Sequence, residues 1–196
     1  MKVISISSDV NVNKLSQQIL RNEPKVIRKY PAKTWDYKVD FDGGTGLGLN
    51  SLTARSCHYN LLDWWGTDKI RKNIKKGYET FTGVKNKSIY VQCWANVMRK
   101  GDIIKRHIHS QRNLNYSDSL SGHLNVKVDG LTSTYYDGKP LVNKNGEMVL
   151  FPSNIPHWTD MYKGDEERIT VAFDIKSTDF FQYDVHKGAQ SHWVKL

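Results

Sequence analysis

The spacing of hydrophobic and polar positions changes character about 85 residues into the chain. Before that point it is mostly helical. Leu15, Ile19 and Leu20 suit a short amphipathic helix over Asn13 to Leu20, which Pro24 and Pro31 are expected to interrupt. Leu61, Leu62, Trp65, Ile70, Ile74, Tyr78 and Phe81 fall near one stripe with lysines opposite. Asn60 to Phe81 therefore reads as helix, broken into two pieces at Gly66. Trp35, Tyr37, Val39 and Phe41 alternate with Asp36, Lys38 and Asp40, the period of a half-buried strand. The run from Gly43 to Gly48 lacks the Lys-Ser/Thr of a phosphate loop and reads as a flexible connection.

From Ser88 onward short stretches rich in Val, Ile, Tyr and Trp are separated by Gly, Asn, Asp and Pro. Eight such pieces follow in order: SIYVQCWANVM, DIIKRHIH, LSGHLNVKV, TSTYY, KPLV, EMVLFPS, IPHWTDM and ERITVAFDI. That texture predicts a mainly β fold, a jelly-roll barrel with the N-terminal helices packed on one outer sheet face. The 196 residues are expected to form a single domain. Its parts would be a mixed helical and extended support over 1–85, a barrel core over 86–176 and a C-terminal extension over 177–196.

Composition narrows the class. Hydrophobic residues make up 38% and charged residues 25%, which excludes collagenous and disordered chains. No apolar run reaches the ~20 residues of a membrane span. The first residues carry no apolar signal region, and Cys57 and Cys93 are too few for a disulfide framework. Two reduced thiols in a cytoplasmic protein are the expectation. Net charge is +9 and attracts anions. Lys69, Arg71, Lys72, Lys75 and Lys76 cluster, but no zinc-finger or RNP-type aromatic pattern accompanies them. A solvated helix face is therefore preferred to a nucleic-acid footprint.

The chemistry sits in the histidines. His107 and His109 are two apart, so on a strand they share a face and can converge on one metal ion. His157 ends a later strand-like piece, and a barrel can return it beside the pair. Three protein ligands with open positions is how a mononuclear iron site admits substrate or dioxygen. His123 could line the same pocket or be a hydrogen-bonded core residue, and Trp94 and Trp158 could wall it. His58, His186 and His192 have no partner at ligand spacing.

The order of blocks carries a resemblance. Trp94 to Gly101 leads into His107-Ile-His109; Leu120-Ser121-Gly122 follows, then Val149-Leu150-Phe151-Pro152-Ser153 up to His157, then Glu167-Arg168-Ile169-Thr170. Over about residues 88–175 the chain resembles the Fe(II)/2-oxoglutarate-dependent oxygenases, in particular the small prolyl-hydroxylase-like proteins of phages and bacteria. The resemblance implies a double-stranded β-helix, with Fe(II) as cofactor and 2-oxoglutarate and O2 as co-substrates. The implied activity couples 2-oxoglutarate decarboxylation to hydroxylation of a small-molecule or peptide substrate. If the chain is phage-encoded, it would work in the host cytoplasm. His107 and His157 match the two histidines of the iron triad, and Arg168 matches the residue that grips the distal carboxylate of 2-oxoglutarate. Thr170 could add a hydroxyl to that carboxylate, and Asn96 matches an asparagine that holds the co-substrate in some members.

The usual third ligand, an Asp or Glu two residues after the first histidine, is here His109. Either three histidines form the site, the preferred reading, or a carboxylate such as Asp102 or Asp118 completes it. The same departure resembles the cupins, whose three-histidine dioxygenases need no 2-oxoglutarate. Arg168 with Thr170 favours the oxygenase. A basic β-barrel module that binds nucleic acid or another phage component is the non-catalytic alternative.

Overall fold

A computed structural model describes residues 2–32, 45–110, 119–178 and 192–196. The strand expected over Trp35 to Phe41, together with Gly43, Gly44, Asp118 and His186, lies outside the described residues.

Two antiparallel sheets face each other. Strands β1 (Ile4–Ser7), β2 (Ile89–Met98), β3 (Ser119–Lys127), β6 (Glu147–Pro152), β8 (Arg168–Ser177) and β9 (Val194–Lys195) form one sheet in the order β1-β6-β3-β8-β2-β9. Strands β4 (Ser133–Tyr136), β5 (Lys139–Val142) and β7 (His157–Thr159) form the other in the order β5-β4-β7. This is the double-stranded β-helix, with helices on its outer side.

Alternation along the large sheet separates two environments. Cys93, Ala95 and Val97 of β2, Leu120 and Leu124 of β3, and Ile169, Val171, Phe173 and Ile175 of β8 all join the main apolar core. That core lies between the sheet and two helices, α1 (Val12–Lys29) against β3 and α2 (Asp68–Thr82) against β6. The intervening residues turn to the barrel interior. In register across the sheet, Asn96 meets Thr170 and Asn125, Trp94 meets Ala172 and His123, and Gln92 meets Asp174 and Ser121. The period of two thus puts hydrocarbon on one face of each strand and polar groups on the other.

Three expectations need correction. First, α1 does not stop before Pro24 but runs through it to Lys29. Pro24 has no N–H to give the helix ladder, yet the flanking contacts hold. Glu23 takes a bidentate pair from Arg99, with Nη2 to Oε2 at 2.8 Å, and Val26 enters the core. Buried Arg55 then donates to the carbonyls of Ile27 and Tyr30 at the end of the helix, and to those of Leu49 and Ser51. Second, the first piece of the Asn60–Phe81 stripe is only a 3-10 turn, Leu61–Asp63. Gly66 at φ +80° separates it from α2. Third, DIIKRHIH makes no strand. His107 and His157 form an isolated bridge, and Ile104 accepts from the Thr159 N–H. Three residues on one side span two on the other, so a regular ladder cannot form.

Strand β1, whose Ile4 and Ile6 alternate toward the core, and the edge pairing of β9 with β2 lacked a sequence-level expectation. Beyond β9, polar side chains satisfy β2. The Ala95 N–H donates to the Tyr59 hydroxyl, and Asn60 Nδ2 donates to the Val91 carbonyl. The basic cluster lies along the outer face of α2, with Lys69 paired to Asp9 and Arg71 near Asp63. Among the described residues no helix is long and apolar enough to cross a membrane.

Gly122 faces Phe173 across the ladder, and a Cβ there would lie 2.5 Å from the Phe173 ring and from the Val149 carbonyl oxygen. Gly122→Ala is expected to destabilise the protein by about 1–3 kcal/mol in urea unfolding. A Cβ at Gly77 would meet side-chain ends first, the Leu150 methyls at 2.8 Å, rather than a backbone atom. Gly77→Ala is therefore expected to cost less, and the reverse order would contradict this packing.

Candidate metal centre

His107 and His109 sit on the irregular segment that runs beside β7, and His157 opens β7 itself. The main chains of His107 and His157 exchange two hydrogen bonds, at 3.1 and 3.0 Å, and the His109 N–H donates to Ser153 O at 2.9 Å. Ile108 between them points outward and is 39% exposed. One ring nitrogen from each of the three histidines lies within 4.8 Å of the others.

Partner chemistry determines the tautomers. His107 Nδ1 lies 2.7 Å from the Lys105 carbonyl oxygen and His157 Nδ1 lies 3.0 Å from that of Ile155. His109 Nδ1 lies 2.7 Å from Asp174 Oδ1. Carbonyl and carboxylate oxygens only accept, so all three Nδ1 atoms carry a proton, and in the neutral rings each Nε2 presents a lone pair. The Nε2 atoms of His107 and His109 are 3.2 Å apart. At that distance the two nitrogens can share either a proton or a metal ion. Imidazole nitrogens at ~2.1 Å from a metal lie about this far apart when adjacent, so the residues fit a bound iron.

Asp102 is not part of this group. Its carboxylate accepts from the Arg99 N–H at 2.7 Å, in the turn that contains Gly101. Asp174 stands behind His109 instead, and Ser121 donates to it at 2.6 Å. Burial pushes the Asp174 carboxyl up, but the His109 ring and the Ser121 hydroxyl outweigh it and hold the pKa below the usual value.

Arg168 opens β8 at the other end of the same cavity and is 1% exposed. Its Nη1 contacts Met98 Sδ at 3.2 Å and its Nη2 contacts Thr134 Oγ1 at 3.5 Å, while Nε has no hydrogen-bond partner. Burial lowers its pKa to about 10, so it stays charged at neutral pH. No carboxylate among the described residues forms an ion pair with it. An unpaired buried cation is costly, and a carboxylate ligand would relieve that cost.

Thr170 lies beside it and accepts from Asn96 Nδ2 at 3.4 Å, which leaves its hydroxyl hydrogen for the cavity. Asn96 Oδ1 takes donors from Thr53 at 2.6 Å and Trp94 Nε1 at 3.1 Å, so the amide is tied into the wall. Ile104, Phe151, Trp158 and Ala172 supply apolar lining. His123, buried, pairs with the Tyr136 hydroxyl at 2.5 Å and also lines the cavity. Sequence reasoning missed Asp174, Thr134 and Tyr136. For Asp174 the signal was present: it lies on the same strand face as Arg168 and Thr170.

Residues 132–174, which include His157, Arg168 and Thr170, match the 2OG-Fe(II) oxygenase family. No curated protein matches the chain in sequence. Solved structures of similar fold include the viral collagen prolyl hydroxylase of Paramecium Bursaria Chlorella virus-1 in its 2-oxoglutarate complex, at 12% identity and a TM-score of 0.56, covering 91% of this chain and 97% of that one. A Pseudomonas putida prolyl-4-hydroxylase matches at 15% identity and a TM-score of 0.50 over 89% and 92%. A Trichoplax adhaerens prolyl hydroxylase in complex with a hypoxia inducible factor peptide fragment matches at 13% identity and a TM-score of 0.50 over 92% and 86%. At these identities the likeness is one of fold. The family match over residues 132–174 and the shared fold both point to the 2-oxoglutarate-dependent non-haem iron oxygenases as what this chain is similar to, a class of enzymes that uses Fe(II), 2-oxoglutarate and O2.

The buried imidazoles set the acid limit of the metal-free protein. Burial, followed by the electrostatic influence of the neighbouring His109, lowers the His107 pKa to about 4. Burial, followed by the charge of Arg168, lowers that of His123 to about 3. Between those values and about 6.5 the unfolded chain binds more protons than the folded one. Stability is therefore complete above about pH 6.5 and falls as the pH drops. For the metal-free protein, urea unfolding is expected to lose roughly 2 kcal/mol per such histidine between pH 7 and pH 5. A flat profile would mean that the rings are not held neutral.

Proposed function

We propose that the protein is a hydroxylase that couples 2-oxoglutarate decarboxylation to oxidation of a C–H bond in a peptide or small-molecule substrate. In this reading Nε2 of His107, His109 and His157 holds the iron. Arg168 binds the distal carboxylate of 2-oxoglutarate, and the Thr170 and Thr134 hydroxyls lie beside it. Asn96 acts from the wall by orienting Thr170. When bound, iron and 2-oxoglutarate supply the activation of dioxygen, with loss of carbon dioxide and formation of succinate. The protein's own part is to bind, orient and keep dry. The carbonyls of Lys105 and Ile155 and the carboxylate of Asp174 fix which ring nitrogen faces the metal. The apolar side chains around the cavity exclude water. The peptide arm of the substrate class rests on the prolyl hydroxylases among the structures of similar fold.

The observation that carries the reading is the buried Arg168, with no carboxylate paired to it among the described residues, in the same cavity as three converging imidazole nitrogens. A three-histidine dioxygenase that binds its substrate directly on the metal would use that cation only for a carboxylate-bearing substrate. Anaerobic titration of the metal-free protein with Fe(II) and then 2-oxoglutarate tests it. A weak visible charge-transfer band is expected only when both are present. A band with Fe(II) alone, or none with both, would sink the proposal.

Two variants separate the roles. Arg168→Ala should retain a full equivalent of Fe(II) and bind 2-oxoglutarate roughly 30-fold or more weakly, the 2–5 kcal/mol typical of truncating one side of a buried charge pair. Loss of iron in this variant would mean that Arg168 is misassigned. His157→Ala should lose iron binding, and retention of a full equivalent would remove His157 from the ligand set.

A further inference from the structure

Three imidazoles bring no negative charge to a divalent ion. Among the described residues lining the cavity none is acidic, and Arg168 adds a further positive charge. Among the described residues a carboxylate, that of Asp174, stands one hydrogen bond behind His109. Asp174 is 19% exposed, 2.7 Å from His109 Nδ1 and 2.6 Å from the Ser121 hydroxyl.

We propose that Asp174 is a positioning residue of the metal centre, supplying through His109 the negative charge that a carboxylate ligand would supply directly. The inference rests on the reading of His109 as a ligand. Three observations support it. First, a carboxylate that accepts the Nδ1 proton makes Nε2 a stronger donor and fixes the ring. Second, Asp174 is itself held by an ordered chain of hydroxyls. The carboxylate cannot donate, so Ser121 must donate to it. Ser153, 3.0 Å from Ser121 Oγ, can then donate to Ser121, and Ser119, 2.9 Å from Ser153 Oγ, can donate to Ser153. Ser153 also accepts the His109 main-chain N–H, so ring and backbone of one residue are fixed by one cluster. Third, Asp174 and Arg168 share a face of β8 but are six residues apart, about 20 Å along the strand. They cannot neutralise each other, and each is left for what lies between them.

The test titrates the metal-free protein with Co(II), an optical probe, and with Fe(II) under anaerobic conditions, and measures the Fe(III)/Fe(II) midpoint potential. Asp174→Asn keeps shape and hydrogen-bond acceptance but removes charge. It is expected to weaken metal binding roughly 10- to 100-fold and to raise the potential, because an anion favours the ferric state. A residue with only a structural role would not move the potential. In a His109→Ala background the same substitution should add little, the non-additivity of residues acting through one contact. If Asp174→Asn matches the wild type in affinity and potential while His109→Ala loses metal, the role of Asp174 is overturned and the ligand reading stands. If His109→Ala binds metal as the wild type does, the ligand reading fails and this inference with it. Should Asp174→Asn not fold, Ser121→Ala is read in the same titration. A several-fold loss of affinity is expected there, and unchanged affinity and potential overturn the proposal.

Discussion

A guanidinium buried inside a β-barrel, with no carboxylate paired to it among the described residues, is the constraint around which the rest of this structure is arranged. Arg168 reaches the interior because β8 has a period of two. The same alternation brings Thr170, Ala172 and Asp174 to that face and sends Ile169, Val171 and Phe173 to the core. One strand therefore carries a cation at one end, an anion at the other and a small side chain between. Ala172 matters by what it lacks, since a larger residue opposite Trp94 and His123 would fill the cavity.

The histidines impose a second order on that space. Each ring is tied at Nδ1 to an oxygen that can only accept, so which nitrogen turns toward the other two rings follows from the chain path rather than from any metal. The centre is thus preorganised for a cation. Two of the three oxygens are main-chain carbonyls two residues before the histidine they hold. The third is a side chain from another strand, so His109 depends on the sheet staying in register where the other two do not. Trp94, whose ring stacks on His109 at 5.9 Å between centroids, adds to that dependence.

The sequence made the ligand-type residues legible because their spacing is set by strand period and barrel return. His107, His109, His157, Arg168, Thr170 and Asn96 all line one cavity. The route to that result was partly wrong. The pairing of His107 with His109 was expected from strand alternation, yet the segment has one residue too many for a ladder, and its backbone carbonyls do the orienting. Pro24 read as a helix end because the cost of a missing N–H is local, whereas the Glu23–Arg99 pair and the Arg55 clamp that offset it join residues distant in sequence. Asp174 escaped notice because an acid in an otherwise apolar strand looks like an ordinary outward-facing position. Strand alternation places it on the face of Arg168 and Thr170, but its partners, Ser121 across the ladder and the His109 ring, are set only by the fold.

The division of the large sheet into an apolar and a polar face explains how the fold sustains such an interior. Neutral buried imidazoles, an unpaired guanidinium and Asn125, whose side-chain amide has no hydrogen-bond partner, all cost stability in the protein without ligands. The opposite face carries none of that cost. Phe173, Ile175 and Val91 pack there with Ile19, Ile74 and Tyr78 from the helices, all at 1% exposure or less. Because the two faces alternate along the same strands, stability made on one side holds the geometry of the other. A ligand that neutralises Arg168 and a cation that occupies the imidazole lone pairs would remove the costs one by one. Binding and folding stability are linked here through the same few side chains.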